Sequence, residues 1–296
     1  MAAGFRRYLT NFRRKQVARR DRNARVHNDP YWISLPSWLL AAYRRERTGE
    51  IGGTKFLNDI LWAQYCLFLS VRIQDDLFDR QADSLSLIFV SDQFQVEAEL
   101  AFSHYFGRKS TFWDVYRNCL QSTTRAIIRV ETLQRTPRAN PETLLGEYAK
   151  VSAIFKVGSA ALCDRFHRMN DFSHIARFAD EMAIAAQILD DLQDISEDLQ
   201  RKRFNYVASN LLRSRFKKTM RSQHLKQIVR NLLYNHALDN VFTEVQHHLK
   251  LAQQAIEPLG ITAAKKYVAT YRDAVCKMEV DYHQQRVRLL FGPITH

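Results

Sequence analysis

The sequence predicts an all-α protein. Its 296 residues include only nine glycines and six prolines, too few to favour strands joined by tight turns. Apolar residues recur at helical spacing along most of the chain, and neither a strand-like alternation nor an Asn-Gly hairpin signal appears. We therefore expect one helical domain, residues 31–296, preceded by a basic arm, residues 1–30.

Start and stop signals delimit the predicted helices. Pro36 is expected to begin the first helix, and Gly52 and Gly53 precede the second. Asn140 is predicted to cap a helix whose first residue is Pro141. The other predicted helices are 84–106, 112–134, 142–169, 183–203, 206–217, 221–235, 238–256 and 262–290.

The positive charge of the chain is concentrated at its beginning. The net charge is +13, and residues 1–25 supply much of it through nine Arg or Lys residues against one Asp. This distribution argues against a nucleic-acid-binding face over the whole protein. The arm is open to three interpretations: a solvated tail, which its few apolar residues favour, a segment on an anionic membrane surface, or an Arg-rich transit peptide.

Cysteine and histidine patterns exclude several kinds of site. The four cysteines lie far apart without a C-x-x-C pair, so neither a zinc site nor a disulfide framework is predicted, and a cytoplasmic setting is expected. The ten histidines show no H-E-x-x-H spacing. The most apolar stretch, residues 56–73, contains too many polar residues to predict a membrane span.

The predicted helix 183–203 carries a row of acidic side chains. Successive residues of a helix are rotated by about 100°, so residues three and four apart share a face. The residues of this face are Gln187, Asp190, Asp194, Glu197, Asp198 and Arg201, with Asp191 at its edge. Two explanations are open: a solvated stripe neutralised by nearby Arg and Lys residues, or a set of oxygen ligands for Mg²⁺ and a substrate phosphate.

A second acidic cluster favours the metal-binding explanation. Residues 71–80 read VRIQDDLFDR and place Asp75, Asp76 and Asp79 at the end of an apolar helix, about 115 residues before Asp190. One such cluster is easily a coincidence, whereas two with similar spacing are not.

The two clusters resemble the paired aspartate-rich motifs of the class I isoprenoid synthases. The stretch Asp75-Asp76-x-x-Asp79 is similar to the first motif of the trans-polyprenyl diphosphate synthases, and Gln187-x-x-Asp190-Asp191-x-x-Asp194 is similar to the second. The segment around Lys150 resembles the helix whose lysine binds the allylic diphosphate in that family. The resemblance implies a helical bundle with a central cavity, across which the two acidic rows face each other.

The resemblance also implies a role for each matching residue. The implied catalytic residues are Asp75, Asp76, Asp79, Asp190, Asp191 and Asp194. The implied ligands of three Mg²⁺ ions bound with diphosphate are Asp75, Asp76, Asp79, Asp190, Asp194 and Asp198. The implied diphosphate-binding residues are Lys150, Gln187, Arg201, Lys202 and Arg203.

These residue types suit the departure of pyrophosphate from a prenyl diphosphate. The leaving group carries several negative charges, which Mg²⁺ and fixed cationic side chains neutralise. Mg²⁺ prefers carboxylate oxygens and water, which agrees with many aspartates and no His or Cys set. The hydrocarbon part needs apolar and aromatic walls, and the sequence has 34 aromatic residues to supply them.

The resemblance fails where isopentenyl diphosphate would bind. Gly52-Gly53 is followed by Thr54-Lys55 without the arginines of the family's isopentenyl-binding stretch, and Asp79 is followed by Arg80-Gln81 instead of an arginine pair. The main interpretation is therefore a terpene synthase-like enzyme that cyclises its substrate or eliminates pyrophosphate. The alternatives are a prenyltransferase, of the polyprenyl or the squalene/phytoene type, and a catalytically silent helical homologue that binds a membrane or a partner through its arm.

The expected partners follow from the same resemblance. The substrate is expected to be geranyl, farnesyl or geranylgeranyl diphosphate, and no nucleic-acid partner is expected. Peripheral membrane contact through the arm and a homodimer are left open.

Overall fold

The computed structural model describes residues 30–45, 54–78, 82, 84–136, 139–213 and 237–291. Within these ranges the chain consists of α-helices and short 3₁₀ segments, with no β-strand. The all-α fold predicted from the sequence is confirmed. The predicted arm lies outside these ranges except for Pro30, as do Gly52, Gly53, Asp79 and the predicted helix 221–235.

Regular helices account for most of the described chain. The first are α1 (Tyr31–Arg45), α2 (Thr54–Phe78), α3 (Leu87–Ser103), α4 (Phe112–Gln134) and α5 (Pro141–Val151). The following are α6 (Val157–Arg165), α7 (Phe172–Gln200), α8 (Tyr206–Arg213), α9 (Ala237–Ile256) and α10 (Thr262–Phe291). The 3₁₀ segments Ser152–Lys156, Met169–Asp171 and Glu257–Leu259 precede α6, α7 and α10.

The described chain divides into two compact units. Unit 1 contains the described residues up to Gln121, together with Ala153–Ala176 and Leu259–Ala264. Unit 2 contains Ser122–Ser152, Arg177–Pro258 and the described residues from Lys265 onward. The helices α2 and α3 therefore belong to unit 1, and α5, α8 and α9 belong to unit 2.

In unit 1, α2 packs along α3. The buried hydroxyl groups of Ser70 and Ser91 form a 3.0 Å hydrogen bond between the two helices, and Ile73 packs with Leu87. Full burial of an aliphatic side chain contributes about 1.5–3 kcal/mol, and the polar pair is compatible with burial because its groups are hydrogen-bonded. This packing fixes the last turns of α2, which carry Asp75 and Asp76.

A buried glutamine of unit 1 holds a break in the helical chain. The Gln64 amide donates a 3.2 Å hydrogen bond to the carbonyl of Ile154 and accepts one of 2.7 Å from the backbone N–H of Gly158. The prediction of one helix over 142–169 is therefore wrong. The chain changes here from α5 to a 3₁₀ segment and then to α6, and Gln64 binds two of the backbone groups at the break.

The prediction that Pro36 begins the first helix is also wrong. Pro36 lies inside α1, which starts five residues earlier at Tyr31. The side chains of Tyr31, Trp32 and Leu35 are buried, and their packing outweighs the hydrogen bond that the proline cannot make. The predicted start of α5 is confirmed, because the Asn140 side chain accepts a hydrogen bond from the backbone N–H of Glu142.

In unit 2, α7 contributes one apolar face to the core. The buried side chains of this face recur at helical spacing: Ile188, Leu192, Ile195 and Leu199. The helices α5 and α8 pack against each other in the same unit. The burial of this face leaves Asp190 and Asp194 on the remaining circumference of the helix.

Candidate functional site

The first acidic cluster lies in the last turns of α2, in unit 1. The side chain of Asp75 is 42% exposed, whereas that of Asp76 is 6% exposed. The guanidinium of Arg72, one turn earlier, forms ion pairs with both carboxylates, at 3.0 Å from Asp75 and 2.6 Å from Asp76. Asp79 lies outside the described residues, so its predicted role stays a prediction.

The second acidic cluster lies on one face of α7, in unit 2. Asp190, Asp194 and Asp198 follow one another at intervals of four residues and are all partly buried. Burial raises the pKa of Asp198 to about 6; a hydrogen bond from Asn205 and the charge of Arg203 counteract this rise, and the charges of Asp194 and Asp190 add to it. The three carboxylates are therefore close enough to repel one another.

Asp191 differs from its neighbour Asp190, because it is buried in the interior of unit 2. Its carboxylate accepts hydrogen bonds from the Tyr148 hydroxyl at 2.8 Å, the Gln187 amide at 2.9 Å and the backbone N–H of Tyr206 at 2.8 Å. Burial raises the pKa of Asp191 to about 7, although these hydrogen bonds lower it. Asp191 and Gln187 thus bind protein groups, and the roles predicted for them in catalysis and diphosphate binding stay predictions.

The basic residues after the second cluster have three different environments. Arg201 is half-exposed and forms an ion pair with Glu197 at 2.7 Å. Lys202 is exposed and has a positive φ of 58°, in the left-handed turn that ends α7. The guanidinium of Arg203 donates to the Gln134 side chain at 2.8 and 3.2 Å. Among these three residues, Arg203 is therefore the one that binds a residue of another helix, since Gln134 belongs to α4.

Lys150 lies in the last turn of α5. Its side chain is 55% exposed, and its ammonium group is 2.9 Å from the carboxylate of Glu147. The backbone carbonyl of the next residue, Val151, accepts a hydrogen bond from Thr123 at 3.1 Å, which holds this end of α5. The ammonium is accessible to an anion, and the predicted contact with diphosphate stays a prediction.

An aromatic cluster in unit 1 joins α1, α2 and the 3₁₀ segment Ser152–Lys156. The Trp32 ring stacks on Phe155 with a centroid distance of 5.0 Å and packs against Phe68 at 4.9 Å. An open cavity of about 400 Å³ adjoins this cluster. Its lining residues are Trp32, Ile33, Asn58, Leu61, Trp62, Gln64 and Tyr65.

Comparison with known proteins identifies the fold. No family model matches the chain, and no curated protein matches it in sequence. Among solved structures, it is similar to the polyprenyl synthase Isp_B from Roseobacter denitrificans, with a TM-score of 0.65, 16% identity and coverage of 82% of this chain and 84% of that one. The chain has the polyprenyl synthase fold.

A second solved structure agrees with this identification. The heptaprenyl diphosphate synthase from Staphylococcus aureus has a TM-score of 0.63 and 11% identity, with coverage of 88% of this chain and 98% of that chain. At these identities the likeness establishes the fold alone. The class I isoprenoid synthase type of fold predicted from the two motifs is confirmed.

Within this polyprenyl synthase fold, the acidic residues suit Mg²⁺ as part of its ligand shell. Among the described residues, no group of three or more His, Cys, Asp or Glu side chains is arranged to hold a metal by itself. Mg²⁺ usually takes one or two carboxylates and completes its shell with water and substrate phosphates. The partly buried carboxylates of Asp190 and Asp194 are ligands of this kind, so they fit an Mg²⁺ ion whose remaining ligands are water and phosphate oxygens.

Two features of the site were missed by the sequence analysis. Arg72 precedes Asp75 and Asp76 by three and four residues, a spacing that signals an ion pair on a helix. The contact of Trp32 with Phe68 had no comparable signal, because it joins distant parts of the chain.

No helix in the described part of the chain is long and apolar enough to cross a membrane.

Proposed function

We propose that the chain is a Mg²⁺-dependent prenyltransferase that acts on prenyl diphosphates. The observation that carries the proposal is the partly buried row of Asp190, Asp194 and Asp198 on one helix of a chain with the polyprenyl synthase fold. Carboxylates that repel one another in a partly buried position are stabilised by a multivalent cation. The two similar solved structures, named a polyprenyl synthase and a heptaprenyl diphosphate synthase, favour prenyl transfer over cyclisation.

The proposed metal ligands are those that the two motifs supply. Asp75, Asp76 and Asp79 of the first motif would bind Mg²⁺, and so would Asp190, Asp194 and Asp198 of the second motif. When bound, Mg²⁺ supplies the positive charge that makes pyrophosphate a good leaving group.

Cationic side chains would bind the remaining diphosphate oxygens. Lys150 is exposed, whereas its partner Glu147 is buried and also lies 4.0 Å from the exposed guanidinium of Arg129. Arg129 would therefore keep a positive charge beside Glu147 when Lys150 turns to the diphosphate. Arg201 and Lys202 are exposed as well. Arg203 is the weaker candidate, since binding a diphosphate requires it to leave Gln134 and Glu131.

Asp191 supports the site from inside unit 2. Its hydrogen bonds with Tyr148 and Tyr206 tie α7 to α5 and to the start of α8. This fixes the rotation of α7 about its axis and hence the direction in which Asp190 and Asp194 point. Fixed ligands need no reorganisation when charge develops in the reaction, which is the main source of electrostatic catalysis.

Cyclisation or elimination by a terpene synthase-like enzyme is the second candidate. The sequence favours it at one point, where Arg80-Gln81 replaces the arginine pair associated with isopentenyl diphosphate. The two candidates share the ionisation of a prenyl diphosphate and differ in what captures the cation.

Incubation of the full-length chain with Mg²⁺ and geranyl, farnesyl or geranylgeranyl diphosphate, with and without isopentenyl diphosphate, tests both candidates. A longer prenyl diphosphate that forms only with isopentenyl diphosphate supports prenyl transfer. A hydrocarbon or alcohol formed from a single substrate supports the second candidate instead. If no pyrophosphate is released from any substrate, the chain is not an enzyme of this class.

Variants of the acidic row link any activity to the proposed site. Asp190→Asn and Asp194→Asn should each lower turnover by about 10²-fold or more, as expected when an electrostatic group of an active site is removed. Asp114→Asn is the matched control, because Asp114 is exposed on α4 and its ion pair is with Arg117 on the same helix. Equal turnover in all three variants would contradict a role for α7 in the reaction.

A further inference from the structure

Arg72 binds both carboxylates of the first acidic cluster. Its Nη1 atom is 3.0 Å from Asp75 and its Nη2 atom is 2.6 Å from Asp76, so the guanidinium uses two different nitrogens for two neighbouring side chains. The Arg72 side chain is 22% exposed and lies between the more exposed Asp75 and the buried Asp76. All three residues belong to α2 in unit 1.

The position of this cluster makes a counter-charge necessary. Two adjacent carboxylates repel each other, and a buried carboxylate is costly unless it is paired. Both also lie at the end of α2, where the helix dipole is negative and disfavours anions. An arginine side chain keeps its positive charge in proteins, so Arg72 neutralises Asp75 and Asp76 for as long as it stays beside them.

The same ion pairs compete with any cation that binds these carboxylates. A divalent cation must displace the guanidinium from the oxygens that it needs as ligands. A displaced guanidinium is itself a strong ligand for phosphate, which it binds through parallel hydrogen bonds. The Nε–H of Arg72 is buried and has no hydrogen-bond acceptor among the described residues, so the present ion pairs leave part of its donor capacity unused.

We propose that Arg72 is a built-in counter-ion that exchanges partners when the substrate binds. It neutralises Asp75 and Asp76 before divalent cations arrive, and it passes to the diphosphate when the cations take its place. This inference rests on the proposed function, because it assumes that Asp75 and Asp76 bind Mg²⁺. Its consequence is that cations and diphosphate each strengthen the binding of the other, through Arg72.

Binding of Mn²⁺ to the full-length chain, with and without inorganic pyrophosphate, tests this exchange. The measurement is the free Mn²⁺ signal in electron paramagnetic resonance, with Mn²⁺ replacing Mg²⁺ as the probe. Without pyrophosphate, Arg72→Gln should bind Mn²⁺ on the order of tenfold more tightly than the unchanged chain, because the guanidinium of Arg72 no longer has to be displaced. With pyrophosphate this advantage should disappear, because the variant lacks the guanidinium that binds the anion.

Two further variants keep the test decisive. Arg72→Lys keeps the positive charge but loses the paired N–H donors of the guanidinium. Its Mn²⁺ affinity without pyrophosphate should therefore lie between those of the unchanged chain and Arg72→Gln. If Arg72→Gln does not fold, Arg72→Lys alone provides the comparison. Arg117→Gln is the control: it removes a guanidinium that pairs with exposed Asp114, and it should leave the Mn²⁺ affinity unchanged both with and without pyrophosphate.

The possible failures are distinguishable. If the unchanged chain binds Mn²⁺ with pyrophosphate but Arg72→Gln and Arg72→Lys show the same affinities and the same coupling, the partner exchange is wrong and the proposed function stands. If no variant binds Mn²⁺ even with pyrophosphate, the metal-dependent function and the exchange are both wrong.

Discussion

The hydroxyl of Tyr148 donates a 2.8 Å hydrogen bond to the carboxylate of Asp191, and both groups are buried in unit 2. The same carboxylate oxygen also accepts the backbone N–H of Tyr206 at 2.8 Å. Adjacent residues of a helix point about 100° apart, so Asp190 stays on the partly buried face while Asp191 turns to the interior. Neighbouring aspartates of one motif thus have different surroundings, and their contributions can be measured separately.

We expect the free energy of unfolding to fall as the pH rises from about 4 to about 7. Burial raises the pKa of Asp191 from 3.8 to about 7 in the folded chain, whereas the unfolded chain keeps the ordinary value. In this interval the folded state holds a proton that the unfolded state has lost, so each rise in pH favours unfolding. One pKa unit corresponds to about 1.4 kcal/mol, which makes the contribution of Asp191 a few kcal/mol. Burial raises the pKa of Asp198 to about 6, which adds a smaller contribution of the same sign. Urea unfolding in EDTA at several pH values measures the combined effect.

Asp191→Asn should remove the larger part of this pH dependence and leave the part that comes from Asp198. Asparagine has no proton to lose, and its oxygen can still accept from Tyr148 and Tyr206 while the Gln187 amide turns to accept from its NH₂ group. Asp114→Asn, at an exposed position, should keep the pH dependence of the unchanged chain. If the free energy of unfolding fell equally with pH in the unchanged chain and in Asp191→Asn, the raised pKa of Asp191 would not be the cause.

Lys202 should be replaced more favourably by glycine than by alanine. Its φ of 58° lies in the left-handed region, which costs a residue with a Cβ roughly 1 kcal/mol. The turn is held by a 2.8 Å hydrogen bond from the N–H of Arg203 to the carbonyl of Asp198, a common helix ending in which glycine is preferred. Thermal unfolding should show Lys202→Gly to be more stable than Lys202→Ala by about 1 kcal/mol. Both variants lose the same charge, so equal stabilities would rule out backbone strain as the cause.

The sequence predicts those helices whose ends carry local signals. The predicted helix 112–134 coincides with α4, and the cap at Asn140 forms as expected, because capping depends on residues adjacent in the chain. The break between α5 and α6 has no such signal. It depends on Gln64, about 90 residues earlier, which supplies the hydrogen bonds that the helix gives up.

The candidate site was predictable to a similar extent. Helical spacing places Asp190, Asp194 and Asp198 on one face, and the structure has them there. The difference between Asp190 and Asp191 is not contained in the motif, because the side on which the interior lies depends on Tyr148 and Tyr206 from other helices. The internal partner of Arg203 could not be predicted for the same reason, since Gln134 belongs to α4.

Gly158→Ala should destabilise the chain through a contact with Gln64. A Cβ at this position would lie 2.9 Å from the Gln64 amide oxygen and 3.4 Å from the Pro36 ring. Overpacking of this kind costs typically about 1–3 kcal/mol. Gly146→Ala is the matched control, because a Cβ there meets nothing within 4 Å and should be neutral or slightly stabilising. Equal unfolding midpoints for the two variants would contradict the close approach.

A double-mutant cycle separates the clash from the lost hydrogen bonds. Gln64→Ala removes the partner of two buried backbone groups and should cost about 1–3 kcal/mol for each. In the combined variant Gly158→Ala adds little, because the oxygen that it would meet is gone. The coupling energy should therefore be about 1 kcal/mol or more, and strictly additive losses would show that the two side chains do not interact.

Phe68→Ala should lengthen the product if the proposed function is correct. Phe68 precedes Asp75 by seven residues, so it lies on nearly the same face of α2 and about 10 Å along the axis from it. A prenyl chain that extends along this face from a diphosphate at Asp75 would end against Phe68 and Trp32, whose rings are 4.9 Å apart. Removing the Phe68 ring opens space for additional isoprene units, and mass spectrometry of the products measures their number. Phe89→Ala on α3, where the ring is 67% exposed, should leave the products unchanged. An unchanged product distribution in a folded Phe68→Ala variant would place the hydrocarbon chain elsewhere.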